Sequence, residues 1–262
     1  MRVESCQILT HRSITETVYH MTVSSRRLSG ESQPGQFVHV RVRGGTDPLL
    51  RRPFSVHRVS SRENTVELLY RIVGRGTRLM SALKPGDSLN VMGPLGNGFD
   101  LKRPFDRAVI VAGGMGGAPV FFLIDRLLDL GKQVALMWGV KDGREIFGTE
   151  SLQSRGVDVQ VATEDGRVGE KGLVTDILLP FLAKEKHSRD LCGFVCGPEC
   201  MLGPVQKLAA KTDFPWQASL EERMACGIGV CRGCGVRIRG EGLQMVCDDG
   251  PVFPLKEILF EA

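Results

Sequence analysis

The pattern of apolar residues changes twice along the 262-residue chain, and this change limits the possible folds more than any other feature. Up to about residue 100, apolar residues form short β-branched runs such as 36–42 and 65–73. Turn-forming pairs such as Pro34-Gly35 and Pro85-Gly86 separate these runs. Short runs between turn residues are typical of antiparallel strands. The first hundred residues therefore predict an antiparallel barrel or sandwich.

From about residue 104 the pattern changes to strands followed by helices. The apolar strand 108–112 runs through a glycine cluster into a helical segment at 120–128. Further short strands are expected at 134–138, 157–161 and 193–196. This alternation predicts a doubly wound parallel sheet. The segment from about 216 onward bears cysteines and is too short for a core of its own, so we expect a metal cluster to hold it together.

We therefore predict three domains with boundaries at 1–101, 102–215 and 216–262. The chain carries 34 Lys and Arg against 30 Asp and Glu, a net charge of +4, and its basic residues are spread out. This distribution argues against a nucleic-acid partner. Residues 1–19 contain charges and no apolar run long enough for a signal peptide or a membrane span, so we expect a cytoplasmic protein. In a reducing compartment, the eight cysteines are expected as ligands and buried thiols.

Four cysteines near the C-terminus follow the spacing C-x4-C-x2-C-x12-C. They are Cys226, Cys231, Cys234 and Cys247. This is the spacing of a plant-type [2Fe-2S] site, in which three thiolates from one loop and a fourth from a later segment surround two bridged irons. Structural zinc sites usually present two closely spaced cysteine pairs instead. The quartet therefore predicts a [2Fe-2S] cluster and a role in electron transfer.

A glycine-rich turn stands between the strand 108–112 and the following helix. The glycines proposed to contact NAD are Gly113, Gly114, Gly116 and Gly117. A pyrophosphate could lie against backbone amides at the start of that helix, where Pro119 is tolerated. The run is not G-x-G-x-x-G, and the strand 134–138 contains no acid to bind a ribose. A tight strand-to-helix connection is the alternative interpretation.

The run Leu50-Arg51-Arg52-Pro53-Phe54-Ser55-Val56 resembles the R-x-[YF]-S flavin signature of the ferredoxin-NADP reductase superfamily. A second run, 69–77, resembles the next flavin contact of that family, and Cys196-Gly197-Pro198-Glu199-Cys200-Met201 resembles its C-G-P-x-x-M terminus beside the nicotinamide. The resemblance implies an FAD-binding antiparallel β-barrel followed by an NAD-binding domain. It implies FAD contacts at Arg52, Pro53, Phe54, Ser55, Leu69, Tyr70, Arg71, Gly76 and Thr77, and further NAD contacts at Cys196 and Gly197. A planar guanidinium suits a diphosphate, and an aromatic face suits a flavin ring.

Taken in order, the three parts resemble the electron-transfer subunits of type B dihydroorotate dehydrogenases, including the segments 221–231 and 247–253. The resemblance implies a partner catalytic subunit that contains FMN and oxidises dihydroorotate, in a heterotetramer with two copies of each chain. This chain would then carry electrons through its [2Fe-2S] cluster and FAD to NAD+ in de novo pyrimidine biosynthesis. NAD exchanges two electrons and the cluster one, and a flavin converts between them.

Other interpretations of the sequence stay open. The small subunits of NAD(P)H-ferredoxin and sulfide dehydrogenase-type oxidoreductases share these parts, and so does a stand-alone reductase serving an oxygenase. A zinc-stabilised binding module is a non-enzymatic alternative. Asp165 and Gly166 are lesser nicotinamide candidates at a strand end. A second metal site at Cys192, Cys196 and Cys200 is disfavoured because Gly197-Pro198 interrupts any helix that would align them.

Overall fold

Two seven-stranded sheets make up most of the structure, and a two-stranded hairpin lies near the C-terminus. The computed structural model describes residues 2–260. The strands are β1 (Arg2–Ser13), β2 (Val18–Ser24), β3 (Phe37–Arg41), β4 (Arg52–Ser55), β5 (Arg58–Ser60), β6 (Thr65–Arg71), β7 (Ser88–Leu95), β8 (Arg107–Gly113), β9 (Gln133–Val140), β10 (Asp158–Thr163), β11 (Glu170–Lys171), β12 (Leu191–Cys196), β13 (Trp216–Ser219), β14 (Gly235–Ile238), β15 (Gly242–Met245) and β16 (Val252–Pro254).

The helices connect these strands. They are α1 (Arg26–Glu31), α2 (Arg75–Ser81), α3 (Gly117–Asp129), α4 (Thr149–Gln153), α5 (Val174–Glu185) and α6 (Glu199–Ala209). Short 3-10 turns cover Gly114–Gly116, Gly143–Glu145 and Leu255–Glu257. Of the helices within residues 2–260, none is long and apolar enough to cross a membrane.

The first sheet is antiparallel, with the strand order β4-β3-β7-β1-β2-β6-β5. Successive residues of a strand point to opposite faces, and in β2 Met21 and Val23 are buried while Thr22 and Ser24 are half-buried. The sheet curls until β4 approaches β6, and it encloses an apolar core. That core includes Ile8, Met21, Val38, Leu68 and Val91. The predicted antiparallel flavin-binding barrel is thus confirmed as a curled half-barrel.

The second sheet has the order β11-β10-β9-β8-β12-β13-β16, and all its pairs are parallel except β13 with β16. In β8, residues 108–112 are all buried, because helices cover both faces of the sheet. The helix α3 packs on one face, and α5 and α6 pack on the other. This confirms the predicted doubly wound parallel sheet. The strand order reverses between β8 and β12, so the carboxyl ends of these two strands form the crevice where ligands bind in such sheets.

The cysteine-bearing segment is bounded by two strands of the second sheet. Strand β13 pairs in parallel with β12, and β16 returns antiparallel to β13. Between them, the hairpin β14–β15 packs against the outer face of the first sheet, where Phe37, Met92 and Leu95 share a core with Met245. The side chain of Asn97 donates hydrogen bonds of 2.9 and 3.0 Å to the carbonyls of Asp248 and Asp249. The last segment is therefore fastened to both sheets.

Candidate functional site: a shared cavity and a cysteine loop

A cavity of about 1030 Å³ opens where the curled sheet, the turn after β8 and the segment after β13 meet. The turn contributes Met115, Ala118 and Pro119, and the last segment contributes residues 219–224. All of the predicted flavin residues except Gly76 line this cavity. They are Arg52, Pro53, Phe54, Ser55, Leu69, Tyr70, Arg71 and Thr77. The structure thus brings the two flavin runs together, and their role in binding stays a prediction.

Gly76 lies behind the cavity wall, where it makes room for Arg52. A Cβ atom at Gly76 would stand 2.5 Å from Nε of Arg52. Beside it, the N–H groups of Val73 and Gly74 donate to Oγ1 of Thr77, at 3.0 and 3.2 Å. The buried Thr77 hydroxyl in turn donates to the carbonyl of Gly74. The turn therefore leaves space for the Arg52 guanidinium at the start of β4, and a planar guanidinium suits a diphosphate.

Phe54 and Tyr70 meet at the inner wall of the cavity. Their ring centroids are 5.5 Å apart at 60°. The Tyr70 hydroxyl also bonds to Nε2 of His11 at 2.9 Å, and burial raises the pKa of the Tyr70 phenol. Both rings are largely buried, which fixes the wall from behind. Ser55 is only half-buried and borders the open space, so its hydroxyl is available to a ligand.

The predicted nicotinamide residues meet at the point where the second sheet reverses its strand order. Cβ atoms at Gly113 and Gly116 would stand 2.4 Å from Sδ of Met201 and 2.3 Å from the carbonyl oxygen of Cys196. One at Gly117 would stand 2.2 Å from the Trp138 ring. The glycines therefore allow the turn after β8 to pack directly on the turn after β12.

Of the three remaining predicted nicotinamide residues, Cys196 and Gly197 are buried and Gly114 is half-buried. Cys196 is buried, and burial raises the pKa of its thiol. Gly197 is also buried, since a Cβ there would stand 2.5 Å from Cε of Met201. Gly114 instead has open space around its Cα, and its carbonyl accepts a hydrogen bond from Nε1 of Trp138 at 3.1 Å.

Two acids absent from the predicted site stand near it. Asp142 follows the carboxyl end of β9, where a ribose-binding acid is expected, and hydrogen bonds from Arg144 hold the pKa of its carboxyl well below the usual range. Asp142 could have been identified from the sequence as an acid that lies just after the apolar strand β9. Glu221 lines the cavity, and desolvation raises the pKa of its carboxyl. The lesser candidate Asp165 lies near Asp142 and accepts the N–H of Gly143.

The four cysteines fall into two pairs. Backbone N–H groups of Ile228 and Cys231 each donate to Sγ of Cys226 at 3.4 Å, and the Cys226 and Cys231 side chains interact. Burial would raise the pKa of the Cys226 thiol, but these donors outweigh it and lower the pKa to about 7. Sγ of Cys247 accepts the N–H of Gly229 at 3.1 Å and interacts with Cys234. Burial raises the pKa of the Cys247 thiol to about 12.

The spacing of the four sulfurs favours a binuclear cluster over a single zinc ion. Within residues 2–260, one group of three or more metal-ligating side chains has all its donor atoms within 4.8 Å of one another. That group is His20, His57 and Glu67, and it contains no cysteine. Four sulfurs around one zinc ion would each lie about 3.8 Å from the others, from the Zn–S distance and tetrahedral geometry. Two pairs of sulfurs, with backbone N–H bonds to the Cys226 and Cys247 sulfurs, fit two irons.

Histidine 39 lies beneath the cysteine loop. It is 0% exposed, and a Cβ atom at Gly227 would stand 2.5 Å from its Nδ1. Burial, followed by the charge of Arg51, lowers the pKa of His39 to about 4, so the ring is neutral at physiological pH. By contrast, His57 is buried at the boundary between the sheets, where its Nδ1 bonds to the carbonyl of Ala118 at 2.6 Å.

Three family models match consecutive parts of the chain. An oxidoreductase FAD-binding domain matches residues 5–99, an oxidoreductase NAD-binding domain matches residues 110–207, and the iron-sulfur cluster binding domain of dihydroorotate dehydrogenase B matches residues 221–259. Together with the fold, they define an oxidoreductase that binds FAD, NAD and an iron-sulfur cluster.

Similar whole chains narrow this class. The chain is 38% identical to the electron transfer subunit of dihydroorotate dehydrogenase B (NAD(+)) from Desulforamulus reducens, over 99% of both chains. It is also 38% identical to the subunit of the same name from Geobacillus kaustophilus, over 98% of both chains. The chain therefore belongs to the family of dihydroorotate dehydrogenase B electron transfer subunits.

Solved structures agree with this fold. The structure of an NADH-dependent reduced ferredoxin-NADP oxidoreductase matches 97% of this chain and 89% of its own, with a TM-score of 0.84 and 27% identity. A ferredoxin NADP+ reductase from Neisseria gonorrhoeae, solved with FAD and NADP, matches 81% of this chain and 92% of its own, with a TM-score of 0.70 and 16% identity. The second likeness concerns the fold alone.

Proposed function

We propose that this chain carries electrons from a partner dihydroorotate dehydrogenase catalytic subunit to NAD+, in pyrimidine biosynthesis. The observation that carries this proposal is the single cavity bordered by the flavin strand β4, the turn after β8 and residues 219–224, which lead into the cysteine loop. A chain built to join three redox groups needs them around one space, because electrons pass efficiently only over short distances. The name of the relatives supports dihydroorotate as the source and NAD+ as the acceptor.

The cavity residues fit a flavin dinucleotide. The guanidinium of Arg52 would pair with the diphosphate beside the turn that Thr77 fixes, and Ser55 would face the ring. The cavity volume of about 1030 Å³ is large enough for a dinucleotide cofactor. When bound, the flavin would supply the conversion between paired and single electrons. The protein holds this group in place and shields it from water on the inner side, where Phe54 and Tyr70 are packed.

The crevice between β8 and β12 fits the nicotinamide. The turns at Gly113–Gly117 and Cys196–Gly197 pack on each other, and Met115, Ala118 and Pro119 carry the first turn to the edge of the flavin cavity. Asp142 stands at the end of β9, where its carboxylate would accept hydrogen bonds from ribose hydroxyls. Glu221 borders the same shared space.

The cysteine loop is the surface that would meet the partner. Cys231 is exposed, and the neighbouring Val230 is 75% exposed, whereas Cys234 and Cys247 are buried. Exposed Cys231 and half-buried Cys226 would therefore bring one iron of a [2Fe-2S] cluster near the partner, and the buried pair would hold the other. We propose that the partner contains FMN, that the complex is a heterotetramer with two copies of each chain, and that it is cytoplasmic.

We keep the division into an FAD-binding part at 1–101, an NAD-binding part at 102–215 and a cluster-binding part at 216–262 as the functional division of the chain. The family models for the three parts support it, with matches at 5–99, 110–207 and 221–259. Strands β13 and β16 belong to the third part by sequence and pair within the second sheet.

Reconstitution tests the proposed function. The chain is co-purified with the dihydroorotate dehydrogenase catalytic subunit of the same organism, and NADH formation from dihydroorotate and NAD+ is measured. We expect Cys231→Ser to reduce this activity to background while the isolated chain still reduces a dye with NADH. Cys200→Ser is the matched control, because Cys200 is also exposed and lies outside the quartet. Full dihydroorotate-dependent activity in Cys231→Ser would overturn the proposal.

A second experiment tests the flavin site. Replacing Arg52 with Ala removes a charge-assisted contact worth about 2 kcal/mol, so we expect FAD to bind about 30-fold more weakly. The FAD content after gel filtration and a titration of the apoprotein measure this change. Arg78→Ala is the control, since Arg78 is an exposed arginine of α2 outside the cavity wall. Equal FAD affinity in the two variants would contradict the assignment of Arg52.

The related structure of a ferredoxin-NADP oxidoreductase suggests a second candidate function, transfer between NADH and a ferredoxin or NADP-linked partner. The TM-score of 0.84 over 97% of the chain favours keeping it. Co-purification distinguishes the two functions, because only the first predicts NADH formation that depends on dihydroorotate.

A further inference from the structure

One buried histidine lies between the flavin strand and the cysteine loop. His39 is in the middle of β3, opposite Pro53 of β4 and opposite Met92 of β7. The strand places it on the same face as Phe37, which packs against the cluster-bearing segment. His39 therefore belongs to the layer between the first sheet and that segment.

The imidazole of His39 is completely buried, and neither ring nitrogen makes a hydrogen bond of ordinary geometry with any of the described residues. Backbone groups of Cys226 and Arg51 face the ring without completing such a bond. A buried polar group without a partner lowers the stability of a fold, whereas an apolar side chain of similar size would not. The apolar neighbours Met92 and Leu95 would accommodate such a side chain. A histidine kept here at a cost in stability indicates a function.

His39 contacts the residues that border both cofactor sites. Nδ1 lies so close to Gly227 that a Cβ atom there would stand 2.5 Å away. Backbone groups of Cys226 and of Arg51 interact with the ring, and Nη1 of Arg51 donates to the His39 carbonyl at 3.2 Å. Gly227 follows a predicted iron ligand, and Arg51 precedes the predicted flavin arginine. One side chain therefore spans the gap between the two sites.

We propose that His39 is a positioning residue that fixes the Cys226–Gly227 peptide against the flavin strand through Nδ1, and so sets the hydrogen bonds received by the Cys226 sulfur. Those bonds come from the N–H groups of Ile228 and Cys231, both at 3.4 Å. Hydrogen bonds to cluster sulfurs stabilise the reduced, more negative cluster and raise its potential. His39 itself takes up no electron and no proton. The inference rests on the proposed function only in requiring a cluster at the four cysteines.

The test uses three replacements at one position. Asn places a polar atom near the position of Nδ1, Gln places one near that of Nε2, and Leu places none. The isolated holoprotein is examined by electron paramagnetic resonance of the reduced cluster, by potentiometric titration, and by its iron and FAD content. His187→Gln is the control, because His187 is exposed and bonds to Asp213 of the second domain at 2.8 Å.

We expect His39→Leu to keep its FAD, to shift the resonance spectrum and to lower the midpoint potential of the cluster. His39→Asn should match the wild type, and His39→Gln should resemble the Leu variant. An unchanged spectrum and potential in His39→Leu would overturn the proposal. The proposal would also fail if His39→Gln behaved like the wild type while His39→Asn behaved like His39→Leu. If the Leu variant does not fold, the comparison of Asn with Gln decides.

The thermal stability of the apoprotein adds a second measurement. Because neither ring nitrogen makes a hydrogen bond of ordinary geometry within residues 2–260, we expect apo His39→Leu to melt at the same temperature as the wild type or higher. Lower stability would identify His39 as a packing residue and count against the proposal. All these measurements omit the partner and dihydroorotate. Failure of the reconstitution experiment would therefore not contradict the inference about His39. Failure of the His39 measurements would likewise not contradict the proposed function.

Discussion

Two glycine-rich segments border the cofactor sites, and they need glycine for different physical reasons. In residues 113–117, the requirement comes from packing, since added Cβ atoms at Gly113, Gly116 and Gly117 would collide with a methionine sulfur, a backbone carbonyl and an indole ring at 2.2–2.4 Å. In residues 226–235, it comes mainly from conformation, since Gly227 and Gly229 have φ angles of +73° and +77°. The first segment holds two strand ends together, whereas the second allows a loop to wind tightly around thiolates.

Similar glycine-rich sequences can therefore meet different structural needs, close packing in one case and a left-handed backbone in the other. The turn at residues 113–117 is packed tightly at the edge of the second sheet, so its glycines serve close packing and not flexibility. The cysteine loop bends because left-handed backbone directs N–H groups toward sulfur, as with Gly229 and the Cys247 sulfur. Substitutions at single glycines can separate the two cases.

The largest effect is expected for Gly116→Ala. The new Cβ would stand 2.3 Å from the carbonyl oxygen and 2.6 Å from the carbonyl carbon of Cys196, and backbone atoms cannot move aside locally. We expect a loss of stability on the order of 3 kcal/mol and loss of NADH-driven flavin reduction. Thermal unfolding and single-turnover reduction by NADH measure these effects. Wild-type stability would show that packing does not require this glycine.

A smaller and differently located effect is expected for Gly229→Ala. A left-handed conformation costs an alanine roughly 1–2 kcal/mol, and its Cβ would also press on the Asp248 carboxylate at 2.7 Å. We expect a reduced iron content, with NADH-driven flavin reduction preserved. Iron analysis and dye reduction by NADH provide the measurement. Full iron content would contradict the conformational explanation of the cysteine loop.

The smallest effect is expected for Gly233→Ala, within the same loop. This glycine is exposed, its φ is not positive, and its Cβ would meet only Sγ of Cys231 at an ordinary distance of 3.6 Å. We expect a change in stability within about 0.5 kcal/mol and an unchanged iron content. Because Gly233 lies in the same loop, directly before the predicted ligand Cys234, Gly233→Ala is a matched control for Gly229→Ala. A large loss of iron here would mean that any added side chain disrupts the loop.

Much of the fold could be predicted from local patterns. The β-branched runs before residue 100 and the strand-to-helix alternation after residue 104 reflect periodicities that each element carries in its own sequence. The spacing of the four cysteines is likewise local. The three-residue strand β16 could not be predicted this way, because its pairing with β13 depends on residues 33 positions away or more.

The parts of the site that sequence reasoning missed depend on tertiary contacts. The predicted strand 134–138 contains no acid. Asp142 instead lies two residues beyond the observed end of β9, at Val140. Glu221 borders the cavity because β13 ends there. His39 is one of five histidines scattered along the sequence, and only the fold brings it against Gly227, which is 188 positions later.

The pairing of β16 with β13 has a consequence for how the chain can be made and divided. The cysteines occupy an excursion that leaves the second sheet after Ser219 and rejoins it at Val252. Deleting everything beyond the excursion would remove an edge strand, so the cluster-bearing part cannot be cut away or transplanted as a simple C-terminal extension. During synthesis, strand β16 leaves the ribosome after all four cysteines of the quartet. The cysteine loop can therefore be fastened to the second sheet at both ends only once residues 252–254 have been made.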